Sequence, residues 1–373
     1  MISWPSSTPS PDPRSDPGPD WSILLTDRPA ARADATLMHR EAAEAGAVVR
    51  RQIAQNRAAM AALGDRLRAL RPVAVTTLGR GSSDNAATFG RYLIETHAGV
   101  LTGSTSPSVA SVYDAAPDMR GTVMIALSQS GRSPDLVAAA EAARARGAWL
   151  VALVNAEDSP LAAAADVAIP LCAGPERSVA ATKSFVASLS ALLHLVAEWT
   201  QSPTLDAALA ALPDALEQAW ALDWSPALPL LEQAASLYVV GRGHGYGIAQ
   251  EAALKIKETC GFHAEAFSAA EVRHGPMALV EDGFPVLLLG QDDESLESVA
   301  ALANEFGARG AALITAGLPD GTAGLALPAL AADPIIQPIL LIESFYRFAN
   351  MLAVARGRDP DRPPHLAKVT ETL

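Results

Sequence analysis

The chain is short of cysteine, of aromatic side chains and of positive charge, and each shortage narrows what it can be. Its two cysteines, Cys172 and Cys260, stand far apart in 373 residues, with no CxxC pair and no cysteine–histidine cluster. That spacing argues against a disulfide framework and against a zinc site, leaving buried, reduced thiols in a cytoplasmic protein as the expectation. Lys and Arg number 28 against 41 Asp and Glu, a formal charge of −13. Nucleic acid and anionic membranes are therefore not expected partners, since both need basic patches. An anionic ligand would have to be held by local groups. Long hydrophobic runs are missing too. Stretches such as "VASLSALLHLVA" are too short to span a bilayer and read as buried helices. The first twenty residues, rich in Pro, Ser and Asp, lack the apolar core of a signal peptide and read as a disordered leader.

What is present is apolar and patterned. Half the residues are hydrophobic and only 18% are charged, so sizeable cores can form, and the length suits two domains. Strand-like runs alternate with helical patterns, the signature of parallel βαβ architecture. The order "VAVTTLGRGSSDNAATFGRYLIE", "GTVMIALSQSG", "GAWLVALVN" is matched later by "SLYVVGRGHGYGIAQEAALKIKE", "FPVLLLGQDDE", "GAALITAG". The two Gly-Arg-Gly turns begin at Gly79 and Gly241, an offset of 162 (241 − 79), and that offset aligns the ends of all three strands. An internal duplication is the simplest account. The expected divisions are a leader over 1–20, leading helices over 21–70, a first unit over 71–200, a helical connection over 201–228, a second unit over 229–358 and a tail over 359–373.

In open parallel sheets, ligands bind beyond the carboxyl ends of the strands. "SQSGRSPD" falls at such an end. Ser128, Gln129, Ser130 and Ser133 supply hydroxyl and amide donors, Gly131 permits close backbone approach, and the following helix presents unpaired N–H groups. These features suit a phosphate. Ser133 and Pro134 could also simply start a helix, although an N-cap needs one hydroxyl, not three plus an amide. Ser82 and Ser83 add hydroxyls at the neighbouring strand end. The equivalent turn of the second unit carries Asp292, Asp293 and Glu294, which would repel phosphate, so one phosphate per chain is expected. The Gly-Arg-Gly turns lack the GxGxxG spacing of a dinucleotide site.

Two further stretches bear on chemistry. Glu251, Lys255 and Glu258 recur at i, i+4 and i+7, on one helix face, either a solvent-facing salt-bridge stripe or part of a proton-transfer site. Glu258 and His274 would serve as a base and acid pair. The Pro-rich tail "DRPPHLAKVTETL" reads as a loose end whose Lys368 amine could meet a sugar carbonyl.

The stretches "SQSG", "SVAATKSF", "GRGHGYGIAQEAALKIKE", "HAEAFSAAEVRHGPMALV" and "HLAKVTETL", in this order over residues 40–373, resemble the sugar isomerase (SIS) family. The resemblance is to the isomerase half of glucosamine-6-phosphate synthase and its stand-alone relatives. It implies two tandem SIS domains, each a flavodoxin-like αβα sandwich with a parallel sheet. By the same resemblance, Ser83, Ser128, Gln129, Ser130 and Ser133 hold a sugar phosphate, Glu258 shuttles a proton with Lys255 beside it, and Lys368 meets the open-chain sugar. His274 opens the ring across a homodimer interface, and Ser82, Val179 and Ala367 border the pocket. No metal and no cofactor is implied. Two departures stand out: "AATK" replaces the family's "ASTK", removing a hydroxyl at Ala181, and the chain begins "MISWPSS" with no N-terminal cysteine. The expectation is therefore a deaminase converting glucosamine 6-phosphate to fructose 6-phosphate and ammonia. Galactosamine or fructosamine 6-phosphate, synthesis from free ammonia, or a sugar-phosphate sensor are the alternatives, the last disfavoured by the acidic charge.

Overall fold

The computed structural model of the chain describes residues 33–368. The leader expected over 1–20, the start of the leading-helix segment and residues 369–373 lie outside the described residues.

Two helices lead, α1 (Leu37–Ala42) and α2 (Ala45–Leu70). The first α/β unit follows with β1 (Ala74–Leu78), α3 (Ser82–His97), β2 (Thr102–Ser104), α4 (Ser108–Ser111), β3 (Thr122–Ser128), α5 (Pro134–Ala145), β4 (Trp149–Val154), α6 (Pro160–Ala164) and β5 (Val167–Pro170). Helices α7 (Lys183–Thr200), α8 (Pro203–Trp220) and α9 (Leu228–Leu231) connect it to the second unit. That unit comprises β6 (Ser236–Gly241), α10 (Gly245–Lys255), β7 (His263–Ser268), β8 (Pro285–Leu289), α11 (Leu296–Gly307), β9 (Ala312–Ala316), β10 (Leu325–Leu327) and α12 (Gln337–Ala355).

Both sheets are wholly parallel and five-stranded. The first runs β2-β1-β3-β4-β5 and the second β7-β6-β8-β9-β10, the same order strand for strand. Strands β1, β3 and β4 each start within one residue of their counterparts β6, β8 and β9 at the offset of 162. Central strands covered on both faces must be apolar throughout, and β3 is buried from Val123 to Ser128. This order puts the topological switch between β1 and β3, where the chain leaves in opposite directions and opens a crevice beyond the strand ends. The turns at 79–83 and 128–133 meet there.

One hydrophobic core spans both halves. It takes in Val75, Ile125 and Leu127 of the first sheet, Leu237, Val239 and Leu287 of the second, and the buried faces of α2, α7, α8 and α12. The segment expected as a connection, 201–228, contributes Leu205, Leu209, Leu212 and Leu216 of α8 to this core, so it is packed and not a detached linker. One expectation needs correction: α12 is long and apolar enough to cross a membrane, although the apolar runs had looked too short. Most of its apolar window, 78%, is buried inside the protein, which is why its composition is so hydrophobic.

Helices α3 and α10, one from each half, pack closely at the centre. Gly247 makes this possible, because a Cβ there would sit 2.5 Å from the Asn85 carbonyl oxygen and 2.9 Å from the Phe89 nitrogen. Four residues further along α10, Glu251 faces Ser82 and Asn85 of α3. Gly247→Ala should therefore force the helices apart and lower stability by about 1–3 kcal/mol, as overpacking does. Denaturant unfolding measures this, and an unchanged midpoint would show slack at the contact.

Candidate active site

The turn after β3 is shaped by Gly131, whose φ of +61° is left-handed. A Cβ there would lie 2.2 Å from Ser159 Oγ, so glycine is needed for space as well as for conformation. The Gly131 amide donates to Ser128 Oγ (2.9 Å) and the Arg132 amide to Ser130 Oγ (3.3 Å), folding the hydroxyls over the start of α5. Ser133 occupies the N-cap position, yet its side chain makes no capping hydrogen bond. The simple helix-start reading therefore leaves its hydroxyl unexplained. Ser133 lines a cavity of about 360 Å³ together with Ser82, Ser83, Ser128, Gln129 and Ser130.

The same cavity reaches Lys255, Glu258, Val179, Ala367 and Lys368, so eleven of the twelve residues that the family resemblance assigns to the site converge on it. Ala181, the position lacking the family's hydroxyl, also lines it. His274 is the exception. It ends an exposed 3₁₀ turn, Glu271–His274, outside this cavity.

Beyond Lys255, α10 widens into a π-helical turn, Ile256–Cys260, which carries Glu258 and closes at Gly261 (φ +70°). Single π turns of this kind are frequent at functional sites. The helix face expected as a possible solvent stripe is not one: Glu251 and Lys255 are buried, and Glu258 is partly exposed at the cavity. Lys255 Nζ contacts the Glu258 carboxylate and lies 3.4 Å from Glu251 Oε1. Glu251 also accepts hydrogen bonds from Ser82 Oγ (3.0 Å), Asn85 Nδ2 (3.0 Å) and Tyr346 OH (3.1 Å). Burial raises the Glu251 carboxyl above its ordinary value, against the pull of Lys255. Burial alone would lower the Lys255 ammonium, but Glu251 and Glu258 together hold it above its usual range.

The tail is tied down as far as Lys368. Asp361 accepts from the amides of Leu37 and Met38 at the start of α1, both at 2.8 Å, and its carbonyl accepts from the Val179 amide at 3.3 Å. Lys368 Nζ donates to the Ser178 carbonyl (2.8 Å) and to Glu176 Oε2 (3.1 Å). Burial alone would raise the Glu176 carboxyl, but Lys368, the Ser184 hydroxyl and the Thr182 and Ser184 amides bring it below its ordinary value. The loose-end reading of the tail fails through these contacts.

Sequence reasoning missed Glu176, Tyr346 and Arg80. The first two are scattered over the chain and meet the site only through folding, whereas Arg80 sits in the Gly-Arg-Gly turn, which looked like ordinary turn chemistry.

The second half shows what the first would be without its open turn. Gln291 and Ser295 stand 162 residues beyond Gln129 and Ser133, and Asp293 takes the place of Gly131. Its carboxylate accepts from the Ser295 amide (2.8 Å), Ser295 Oγ (2.6 Å) and Gln291 Nε2 (3.0 Å). An internal anion is thus bound by the donors of that turn. Burial would raise Asp293, but the His244 ring and these donors pull it down to about 2.

Doubly wound parallel sheets with a hydroxyl-lined turn at one switch point, facing a buried acid–lysine cluster across a polar cavity, define the class: an α/β protein with a ligand-sized pocket beyond its strand ends. The chain belongs to the SIS domain family, which it matches over residues 74–197 and 230–316. It is 38% identical over 310 residues to glutamine–fructose-6-phosphate aminotransferase (isomerizing) of Aeropyrum pernix, covering 78% of this chain and 50% of that protein. The chain spans about half the length of the curated relatives it matches. A solved structure from Silicibacter pomeroyi DSS-3, described as a candidate phosphosugar isomerase, shares 41% identity with a TM-score of 0.84, covering 87% of this chain and all of that one. Glucosamine-6-phosphate deaminase from Thermotoga maritima, at 22% identity, 87% and 100% coverage and a TM-score of 0.67, shares the fold.

The ionised Asp293 stabilises the folded state above the ordinary aspartate range, and this contribution fades as pH falls through that range toward about 2. Asp293→Asn should cost about 1–3 kcal/mol at pH 7. The gap to wild type in urea unfolding should narrow at pH 2.5, and an equal gap at both pH values would refute this account.

Proposed function

We propose that the chain is an amino-sugar phosphate deaminase of aldose–ketose isomerase type, converting glucosamine 6-phosphate and water to fructose 6-phosphate and ammonia. The observation that carries this reading is the opening of the hydroxyl-lined turn and the Lys255–Glu258 pair into one cavity, closed on another side by Lys368. One end suits a phosphate, and the other suits proton transfer at a sugar carbon.

In this reading Ser83, Ser128, Gln129, Ser130 and Ser133 hold the phosphate, with the start of α5 behind them. His274 of the partner subunit in a homodimer assists ring opening, which accounts for its exposure away from this chain's own cavity. Lys368 meets the open-chain hydroxyls. Glu258 takes the proton from C2 and returns it to C1, leaving an imine at C2. Water adds to that imine and ammonia leaves. The sequence is redox-neutral, so no electron acceptor is required. Lys255 sets the charge beside Glu258, and a positioned acid–base group of this kind contributes about 10²–10⁴-fold. Neither Cys172 nor Cys260 lines the cavity, and burial raises both thiols, Cys260 to about 12.

Glu258→Gln should lower ammonia release from glucosamine 6-phosphate by about 10²–10⁴-fold while keeping affinity for fructose 6-phosphate. Full activity in that variant would remove the assignment of the base. Mixing Glu258→Gln and His274→Ala chains should restore partial turnover, and verified mixed dimers without activity would rule out a shared site. A panel including galactosamine 6-phosphate and fructosamine 6-phosphate identifies the preferred sugar, and release of ammonia from none of them would overturn the proposal.

A further inference from the structure

Among the described residues three cations line the cavity, and their partners are unequal. Lys255 is buried between Glu251 and Glu258, with 1% of its side chain exposed. Lys368, 25% exposed, is committed to Glu176 and the Ser178 carbonyl. Arg80 differs. Its side chain is 53% exposed, and Nε (3.0 Å) and Nη2 (2.7 Å) both donate to a single oxygen, Oδ2 of Asp135. Among the described residues Nη1 has no hydrogen-bond partner. A guanidinium has five donors in a planar fork that matches phosphate as well as carboxylate, so donors remain for a second anion.

Asp135 gives the arrangement its sense. It lies in the first turn of α5, is 2% exposed, and its Oδ1 accepts from the Leu136 amide. A buried carboxylate beside the hydroxyl-lined turn favours the helix start but repels an incoming dianion. Arg80, at the end of β1, reaches across the switch point to cancel that charge and so links the two turns that line the cavity. The neutral cradle expected from the hydroxyls alone is therefore incomplete.

We propose that Arg80 is a ligand of the substrate phosphate, pinned by Asp135, and that this pair makes the pocket selective for dianionic phosphate esters over unphosphorylated sugars. The inference rests on the sugar-phosphate reading above. On binding, the guanidinium keeps Asp135 on one edge and turns its remaining N–H groups to the phosphate. The hydroxyls orient the phosphate and Arg80 supplies its counter-charge.

The test is direct binding, independent of turnover. Fructose 6-phosphate and inorganic phosphate are titrated calorimetrically into wild type, Arg80→Gln, Arg80→Lys, Asp135→Asn, the Arg80→Gln/Asp135→Asn double variant and Ser130→Ala, with melting curves to verify folding. A charge-assisted contact is worth enough for Arg80→Gln to weaken both ligands by about 10–100-fold. Arg80→Lys should lie between, since an ammonium keeps the charge and loses the fork. Asp135→Asn should bind within about threefold of wild type or tighter. The double variant should recover part of the loss, because the unpaired carboxylate no longer repels the ligand. Wild-type affinity in folded Arg80→Gln, with Ser130→Ala weakened, would end the role of Arg80 and leave the hydroxyl turn standing. Failure of wild type to bind either ligand would overturn the sugar-phosphate reading and this inference with it.

Discussion

The ammonium of Lys255 is almost wholly buried at the edge of the cavity, and the placing of the candidate site depends on keeping it charged there. An isolated buried cation carries a desolvation cost of several kcal/mol, so it persists only with carboxylates and further hydrogen bonds around it. Those partners come from distant parts of the chain. Glu251 and Glu258 belong to α10 and its π turn, Ser82 and Asn85 to α3 of the first half, and Tyr346 to α12. The cluster therefore joins both α/β units and the last long helix. The close approach allowed by Gly247 and the common core of the two halves serve this one arrangement. The Lys255–Glu258 pair proposed for proton transfer is thus tied, through Glu251, to the contact between the halves.

Two units with one strand order have turned the same junction to opposite ends. In the first, glycine at 131 packs closely against Ser159 and brings no polar group of its own, and the hydroxyls around it line a cavity. In the second, the residue at the equivalent place brings its own carboxylate, and the donors of Gln291 and Ser295 close on it. An anion cradle that carries its own anion has little left to offer a ligand. The asymmetry supports the proposal that an acidic chain receives a phosphate in one half: the neighbouring charges are either internally paired, as at Asp293, or cancelled across the switch point, as at Asp135.

Legibility in the sequence followed distance along the chain. Parallel strands buried on both faces read as apolar runs, and the offset of 162 aligns them in the sequence. The turn at 128–133 was legible because its donors are consecutive. The helix face with Glu251, Lys255 and Glu258 was legible as a face, but its environment was not. Three charges at helical spacing look the same whether they meet water or another helix. Ser133 was ambiguous for a similar reason, since only the absence of a capping bond separates a helix start from a ligand group. Glu176 and Tyr346 carried no local pattern, and Arg80 stood in a Gly-Arg-Gly turn that its glycines alone accounted for. His274 could be singled out by resemblance, yet it stands apart from the cavity of its own chain.

The sequence by itself determined the parallel α/β class, the common strand spacing of its two units, and the run of hydroxyl and amide donors at one strand–helix junction, because strand periodicity and turn chemistry are local properties of consecutive residues. Tertiary structure decided which charges are buried, that the tail is fastened as far as Lys368, that the second cradle is filled from within, and that Arg80 meets Asp135. Those outcomes depend on desolvation and on contacts between residues tens to hundreds of positions apart, which no local pattern records.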